Sequence, residues 1–493
     1  MTTLSDLLKR PDMEKVLLVE IDPDGNPIYL SDTAYFTEPT DNPADQPYYP
    51  VIATGGVPRL KRSIQEVWGG RSVATWGPLV LATDTVDGVD LSTASIRDKR
   101  MQVLLTGPRG TIARADAATV LDGIVGQRNG NPDEGITIEL LDRQAQFNDI
   151  ELPASFYDGT ETASFPAANI GKPKPLCLGK CRNITPVLID AANLVYQVND
   201  GAINDVLATY DNGIALTKVA GTPAAGEFSV DTATGTITLG SSPSQLTADV
   251  EGMMDGATWL SSTTQIIDWL ARTYGGVAAL DIDITGLPAD TVGLYINSSQ
   301  KLADAITTFM KGVLGWWGFS RQNKLRARLF EAPVAGGEVF DETRQLSDIK
   351  WKEEPDLIWA VPVRYAPNWT RINQPAAAVS LDYAAWLAGD GYESRIEDST
   401  ISAAYPWAVV SRRLDTLFDS QAAAQTVANR ALALFGTPRK RTTITVPFID
   451  PPLELGASIT LSDAGVVNGD HLVTSIVDRW DGEIPLVELE VWG

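Results

Sequence analysis

The chain has 493 residues, 44% of them hydrophobic and 21% charged, a globular balance that a chain of this length spreads over roughly two to four domains. A formal charge of −24, from 63 acidic against 39 basic side chains, argues against a free nucleic-acid binder, which needs a cationic face to displace phosphate counterions. Two cysteines exclude a disulfide framework, and a single histidine, His471, lowers the expectation of general acid–base catalysis.

No apolar run approaches the roughly 18 residues of a membrane helix, so no membrane insertion is expected. The first residues, Met1-Thr2-Thr3-Leu4-Ser5-Asp6-Leu7-Leu8, lack a signal-peptide core, and the expectation is a chain made and kept in a cytoplasm. The excess of acid is most simply a matter of solubility. A sharper reading is a surface that DNA slides past without sticking, because like charges repel.

In chain order, Leu4, Leu7 and Leu8 predict a short helical stretch before Pro11. Residues 15–21 predict a strand, 22–27 a turn and 28–31 the return strand. Asp22, Asp24 and Asn26 have a calcium-loop look without the downstream Glu, which leaves a hairpin turn. Residues 37–50 hold four prolines, which forbid a helix, and carry Tyr48 and Tyr49, which could anchor a partner surface. Short strands follow at 58–63, 79–82, 100–106, 111–115, 118–125 and 135–141. With Gly and Asp turns between them they fit an antiparallel barrel or sandwich.

Residues 147–174 read as irregular, and Gly171-Lys172-Pro173-Lys174-Pro175 as a linker. Strand and turn signals from 172 to 252 predict a second β unit, inserted in the chain. It holds both cysteines. Cys177 and Cys181, four apart, could present two thiolates to a metal shared across subunits if the segment were a loop or helix. Gly179 and the β-type flanks favour a strand or bulge with two free thiols.

Two helices come next. One covers 262–276, with Ser262 as cap and Ile266, Ile267, Leu270 and Tyr274 on one stripe. The other covers 299–314, with Leu302, Ala305, Ile306, Phe309, Met310, Val313 and Leu314 on one stripe. Trp316-Trp317-Gly318-Phe319 then enters a hairpin that turns at 321–324 and returns through 325–330. A strand at 357–365 precedes a long excursion, 366–419, with Trp369, Trp386, Tyr392, Tyr405 and Trp407.

The last stretch is the plainest. Ala424, Val427, Ala428, Ala431 and Phe435 form one helical stripe, with Ser420 as cap, Gly436 as left-handed terminator and Pro438 barring continuation. The period then changes to two, with strands at 441–448, 455–461, 472–480 and 486–492 and turns at 463–470 and 481–483. His471, at the start of a strand, is expected to be partly exposed.

Chemistry is sparse. No P-loop, nucleophile elbow or His-Glu-x-x-His pattern occurs. Carboxylates do pair: Glu353 with Glu354, Asp281 with Asp283, and Asp382 nearby in kind. Glycoside hydrolysis needs two carboxyls facing across a cleft, whereas adjacent strand residues point to opposite faces. No catalytic, cofactor-binding or metal-ligating residue is assigned, and no cofactor is expected.

Several segments resemble the central hub proteins of long phage tails. These are the Ala-rich helix at 422–435, the basic turn Arg439-Lys440-Arg441, the strand Glu454-Leu455-Gly456-Ala457-Ser458-Ile459-Thr460-Leu461 and the strand at 472–477. The run from Leu176 through Gly179 and Asn183 to Pro186-Val187-Leu188, the helix–Gly–aromatic hairpin at 299–330, and the strand at 357–365 are similar to the same family. So is the Asp-Gly run at 79–91. At 356–359 the sequence departs from the Asn that the family strand often has.

The resemblance implies a mainly β (α+β) protein with tail-tube-like barrel domains, packed helices and inserted β subdomains. The expected division is 1–170 for an N-terminal barrel, 171–255 for the insertion, and 256–493 for a second barrel interrupted near 366–419. It implies a homotrimer whose two barrels per subunit make a pseudo-sixfold ring in the virion, at the tail tip or baseplate. Assembly would take place in the host cytoplasm. Expected partners are the tail tube, distal tail, tip or fibre and tape measure proteins, with DNA passing unbound. The alternatives are a distal tail ring protein, a virion-associated cell-wall or glycan hydrolase, and a secreted carbohydrate-binding module.

Overall fold

The computed structural model describes every residue except 1–2, 11, 65–67, 132–134, 342, 345–348, 354–356, 463–464 and 481–484. Pro11, Glu354 and the expected turn at 481–483 therefore lie outside the described residues. The fold is mainly β, with barrel-forming sheets, a few helices and an inserted β unit.

The N-terminal sheet closes on itself. Val16–Ile21 pairs with Ile28–Ser31 on one side and Arg100–Thr106 on the other. Pairing continues to Ala118–Asn131, Gly135–Leu141 and Leu79–Leu81. Leu81 bridges Ile52, and Pro47–Pro50 lies parallel to Ile28–Ser31, so the ladder returns to its first strands. Closure removes the unpaired edge that an open sheet leaves. Leu17, Val19, Ile21, Met101, Val103 and Leu105 fill the interior, two residues apart along each strand as the pleat requires. The barrel signals at 79–82, 100–106 and 135–141 are met. Residues 111–115 are not a strand. The Thr111 hydroxyl donates to Pro108 O, and a 3₁₀ turn, Arg114–Asp116, carries Arg114 to Glu20.

One predicted strand leaves its barrel. Leu60–Ile64 and Ser72–Trp76 form a hairpin that adds to the C-terminal sheet, with Leu60 opposite Asp478 and Ser63 opposite Ser475. That sheet runs in the order Glu338–Phe340, Ser458–Leu461, Gly469–Trp480, Pro485–Trp492, Lys440–Pro447, Lys350–Glu353. The two halves share one hydrophobic core, continuous from Leu4 to Trp492.

The helices follow their stripes. Ser262 caps Thr263–Thr273 in a reciprocal box with Gln265. Leu302–Gly312 buries Leu302, Ala305, Ile306, Phe309 and Met310. Gln421–Phe435 buries Ala424, Val427, Ala428 and Ala431, and these small side chains let it lie close on Ile358–Tyr365. Two end signals fail there. The Ser420 hydroxyl makes no capping bond, and Gly436 stays right-handed at φ −80°. Pro438 and the basic strand beyond it stop the helix instead.

The inserted unit has its own core of Cys177, Cys181, Ile184, Val206, Phe228, Ile237 and Val250. Leu176–Ile184 serves two sheets. Its first half pairs with Gly293–Ile296 and its second with Leu246–Asp255, and Gly179 at φ +78° makes the switch. A Cβ there would sit 2.0 Å from Val292 O, so only glycine fits. The excursion 366–419 folds back on this unit through Asn183 Nδ2, which donates to Asn368 Oδ1 at 2.8 Å, and through the Tyr210–Tyr383 ring contact.

Candidate functional site

The residues that the sequence singles out for chemistry are dispersed and engaged. Cys177 and Cys181 are buried free thiols on a strand, and burial pushes the Cys181 thiol up. Asp22 and Asp24 are taken by Lys99 at 3.3 Å and Arg100 at 2.9 Å, and Asp22 Oδ2 accepts from Asn26 N, which makes a hairpin turn. Asp283 is held low by Arg328, 2.6 Å away, with Arg326 behind it. Asp382 lies on a separate helix, Leu381–Ala388, in its first turn. Among the described residues no group of three or more His, Cys, Asp and Glu side chains could hold a metal ion. No helix among them is long and apolar enough to cross a membrane.

Two expectations of exposure are corrected. His471 is buried, with Nε2 2.8 Å from Val467 O, and desolvation lowers its pKa. It lies where Gly469–Trp480 pairs with Ser458–Leu461, opposite Ile459, in a core that the strand signal alone does not reveal. Tyr48 is also buried. Its hydroxyl donates to Glu20, which Arg114 holds from the other side, and burial raises its pKa. The Pro-rich segment therefore returns into the barrel as Pro47–Pro50 and does not offer Tyr48 to a partner.

What the structure does bring together is a buried ionic joint between the two halves. Arg321, 1% exposed, donates from Nη1 and Nη2 to Asp478 at 2.6 and 2.9 Å. It also donates to Val120 O and Leu453 O, each at 3.1 Å, and its own carbonyl accepts from Asp122 N. Arg62, on the bridging hairpin, donates to Glu454 at 3.1 Å. Asp122 in turn accepts from Arg100 at 2.5 Å. One cluster thus ties the N-terminal barrel, the bridging hairpin, the Gly315–Leu329 region and the last strands. Sequence reasoning missed it, because its members are hundreds of residues apart and each is an ordinary charged residue of a turn or strand.

Asp142, beside this joint, is raised to about 6 by desolvation, against which Gln144 N and Arg62 act weakly. The folded chain therefore holds this proton more tightly than the unfolded chain does. Its contribution favours folding below the ordinary carboxyl value and is lost as pH rises from about 4 through about 6. Asp142→Asn keeps an acceptor for Gln144 N and removes the charge. The melting temperature should rise at pH 7.5 and change little at pH 4, which thermal melts across that range will read.

The exposed apolar surface concentrates on the C-terminal half. Trp407 is 82% exposed, with Tyr405, Val409, Val410 and Trp351 also at the surface. Tyr405 and Leu357 line two adjoining clefts of about 580 and 380 Å³, one of which also takes in Arg439 and Val466 and the other Trp407. The sheet edge Lys350–Glu353 is exposed at all four residues. Large exposed aromatics on a folded chain mark contact surfaces.

The sequence matches no family model and no curated protein. Solved structures similar to this chain are phage tail proteins and related assemblies. The 43 kDa tail protein of prophage MuSo2 from Shewanella oneidensis is 10% identical, with 97% of this chain and 98% of that chain covered and a TM-score of 0.41. The tail protein from Neisseria meningitidis MC58 is also 10% identical, with 97% of each chain covered and a TM-score of 0.43. A chain of the virion of a native gene transfer agent particle is 14% identical, with 67% of this chain and 86% of that chain covered and a TM-score of 0.44.

Proposed function

We propose that the chain is a structural virion protein, the central hub ring of a phage tail tip or baseplate, which joins the tail tube to the tip proteins and leaves a channel for DNA. The observation that carries this reading is the union of an N-terminal barrel and a C-terminal sheet in one chain through a shared core and a buried ionic joint. Two tube-like units per subunit, as the resemblance implies, let three subunits present six positions to a tube above and three to a tip below. The motif resemblances at 172–198, 299–365 and 420–493 support the same role. The work is then mechanical. Subunit contacts hold a passage open, and an acidic surface keeps passing DNA from adhering. We assign no catalytic step. The proposed neighbours are the tail tube, distal tail, tip or fibre and tape measure proteins.

Native mass spectrometry of the purified chain tests the stoichiometry. A threefold multiple of 53.1 kDa is expected. A sixfold species favours a distal tail ring, and a monomer that clears cell-wall material in a zymogram favours a hydrolase.

A further inference from the structure

The C-terminal sheet stops at a strand that has every mark of an unfinished edge. Lys350–Glu353 pairs with Lys440–Pro447 on one side and, among the described residues, with nothing on the other. All four residues are exposed, and Trp351 is 46% exposed. Lys350 and Lys352 have no ion-pair partner among the described residues, in a chain with 24 more acids than bases. Lys352 faces Arg441, itself paired with Glu490 at 2.8 Å, and Lys440 lies 4.9 Å over the Trp351 ring, so the edge carries two lysines and an indole against one acid, Glu353. Edge lysines guard a strand against indiscriminate pairing, and the exposed indole beside them works against that protection.

A second edge on the same chain is its counterpart. Tyr392–Glu397 ends the sheet it belongs to and pairs only with Ile358–Tyr365 among the described residues. Tyr392, Glu393 and Glu397 are exposed; Asp390, before the strand, is already held by Arg413 at 2.6 Å, and Asp398, after it, caps the next helix. Arg413 reaches Glu393 and Arg395 reaches Glu397, but both contacts are at the solvent surface, where such pairs hold weakly.

We infer that Lys350–Glu353 of one copy adds to Tyr392–Glu397 of a second copy of this chain, an interface in which two different edges meet. Main-chain hydrogen bonds and burial of Trp351 and Tyr392 supply the affinity, and the opposed charges set partner and register. A contact of two unlike patches repeats from copy to copy and closes as a ring where the rotation allows. The inference rests on the proposed ring only in requiring that the chain associate with itself.

Sedimentation of the full chain at low and moderate salt tests it. Lys350→Glu/Lys352→Glu should weaken self-association more than about tenfold, because like charges then face each other. Glu393→Lys/Glu397→Lys should do the same, and the four substitutions combined in one chain should restore association. The milder Lys350→Gln/Lys352→Gln, whose exposed positions leave the fold intact, should associate more weakly and with a shallower salt dependence. Circular dichroism melts confirm that each variant is folded. Assembly that survives both reversals, or a combined variant that stays dissociated while folded, overturns the edge pairing and leaves the hub reading standing. A wild-type chain that remains monomeric overturns both.

Discussion

Asp478→Ala should destabilise the chain by about 3–5 kcal/mol, read as a lower urea midpoint and melting temperature. Asp478 is the only carboxylate that Arg321 meets with both terminal nitrogens among the described residues, and Arg321 is 1% exposed. Removing the acid leaves a buried guanidinium with only the more distant Glu454 as counter-charge. Arg62 loses a favourable charge at the same time, and burial already lowers its pKa. The double variant Arg321→Met/Asp478→Leu should recover much of the loss, because apolar residues of similar volume replace a buried pair at little net cost. Equal instability of the single and double variants would mean that the main-chain bonds of Arg321 to Val120 and Leu453, and not the ion pair, hold the joint.

Trp317→Ala should cost a similar amount, about 3–5 kcal/mol, by opening a cavity where three parts of the chain meet. The indole is fully buried and lies 5.7 Å from the Phe147 ring. Its Nε1 donates at 3.0 Å to the Thr307 hydroxyl, which itself bonds Ala303 O within the helix Leu302–Gly312. Its carbonyl accepts from Ser72 of the bridging hairpin, and a Cβ on the neighbouring Gly318 would fall 1.9 Å from the same hydroxyl. Trp317→Phe keeps most of the volume and loses the hydrogen bond, so about 1–2 kcal/mol is expected. Calorimetry of the two variants separates packing from hydrogen bonding.

Local order was legible wherever a single element carries its own signal. The stripes of Leu302–Gly312 and Gln421–Phe435 mark the faces that are buried, and Ser262 caps its helix as its spacing with Gln265 requires. The Trp316–Phe319 hairpin and the strands of the last sheet also read directly, because alternation and turn residues lie within a few positions of each other. What pairs with what over long range did not read. Nothing in residues 58–64 says that this strand leaves its own barrel for Ser475–Asp478, since either sheet satisfies the same alternation. His471 and Tyr48 escape a reading from sequence for the same reason: polarity suggests the surface, whereas Val467 O and Glu20 satisfy them inside. The joint of Arg321, Asp478, Arg62 and Glu454 spans 392 residues at its widest contact and carries no sequence motif at all.

On the function proposed above, the chain works by closing with copies of itself around a passage. Negative-stain imaging of the purified chain, viewed down the axis of the particle, tests it most directly. Class averages should show a closed ring with threefold symmetry, a pseudo-sixfold rim and an open centre. Single 53.1 kDa particles at every concentration that reaches the grid, or a closed body with no central opening, would contradict it.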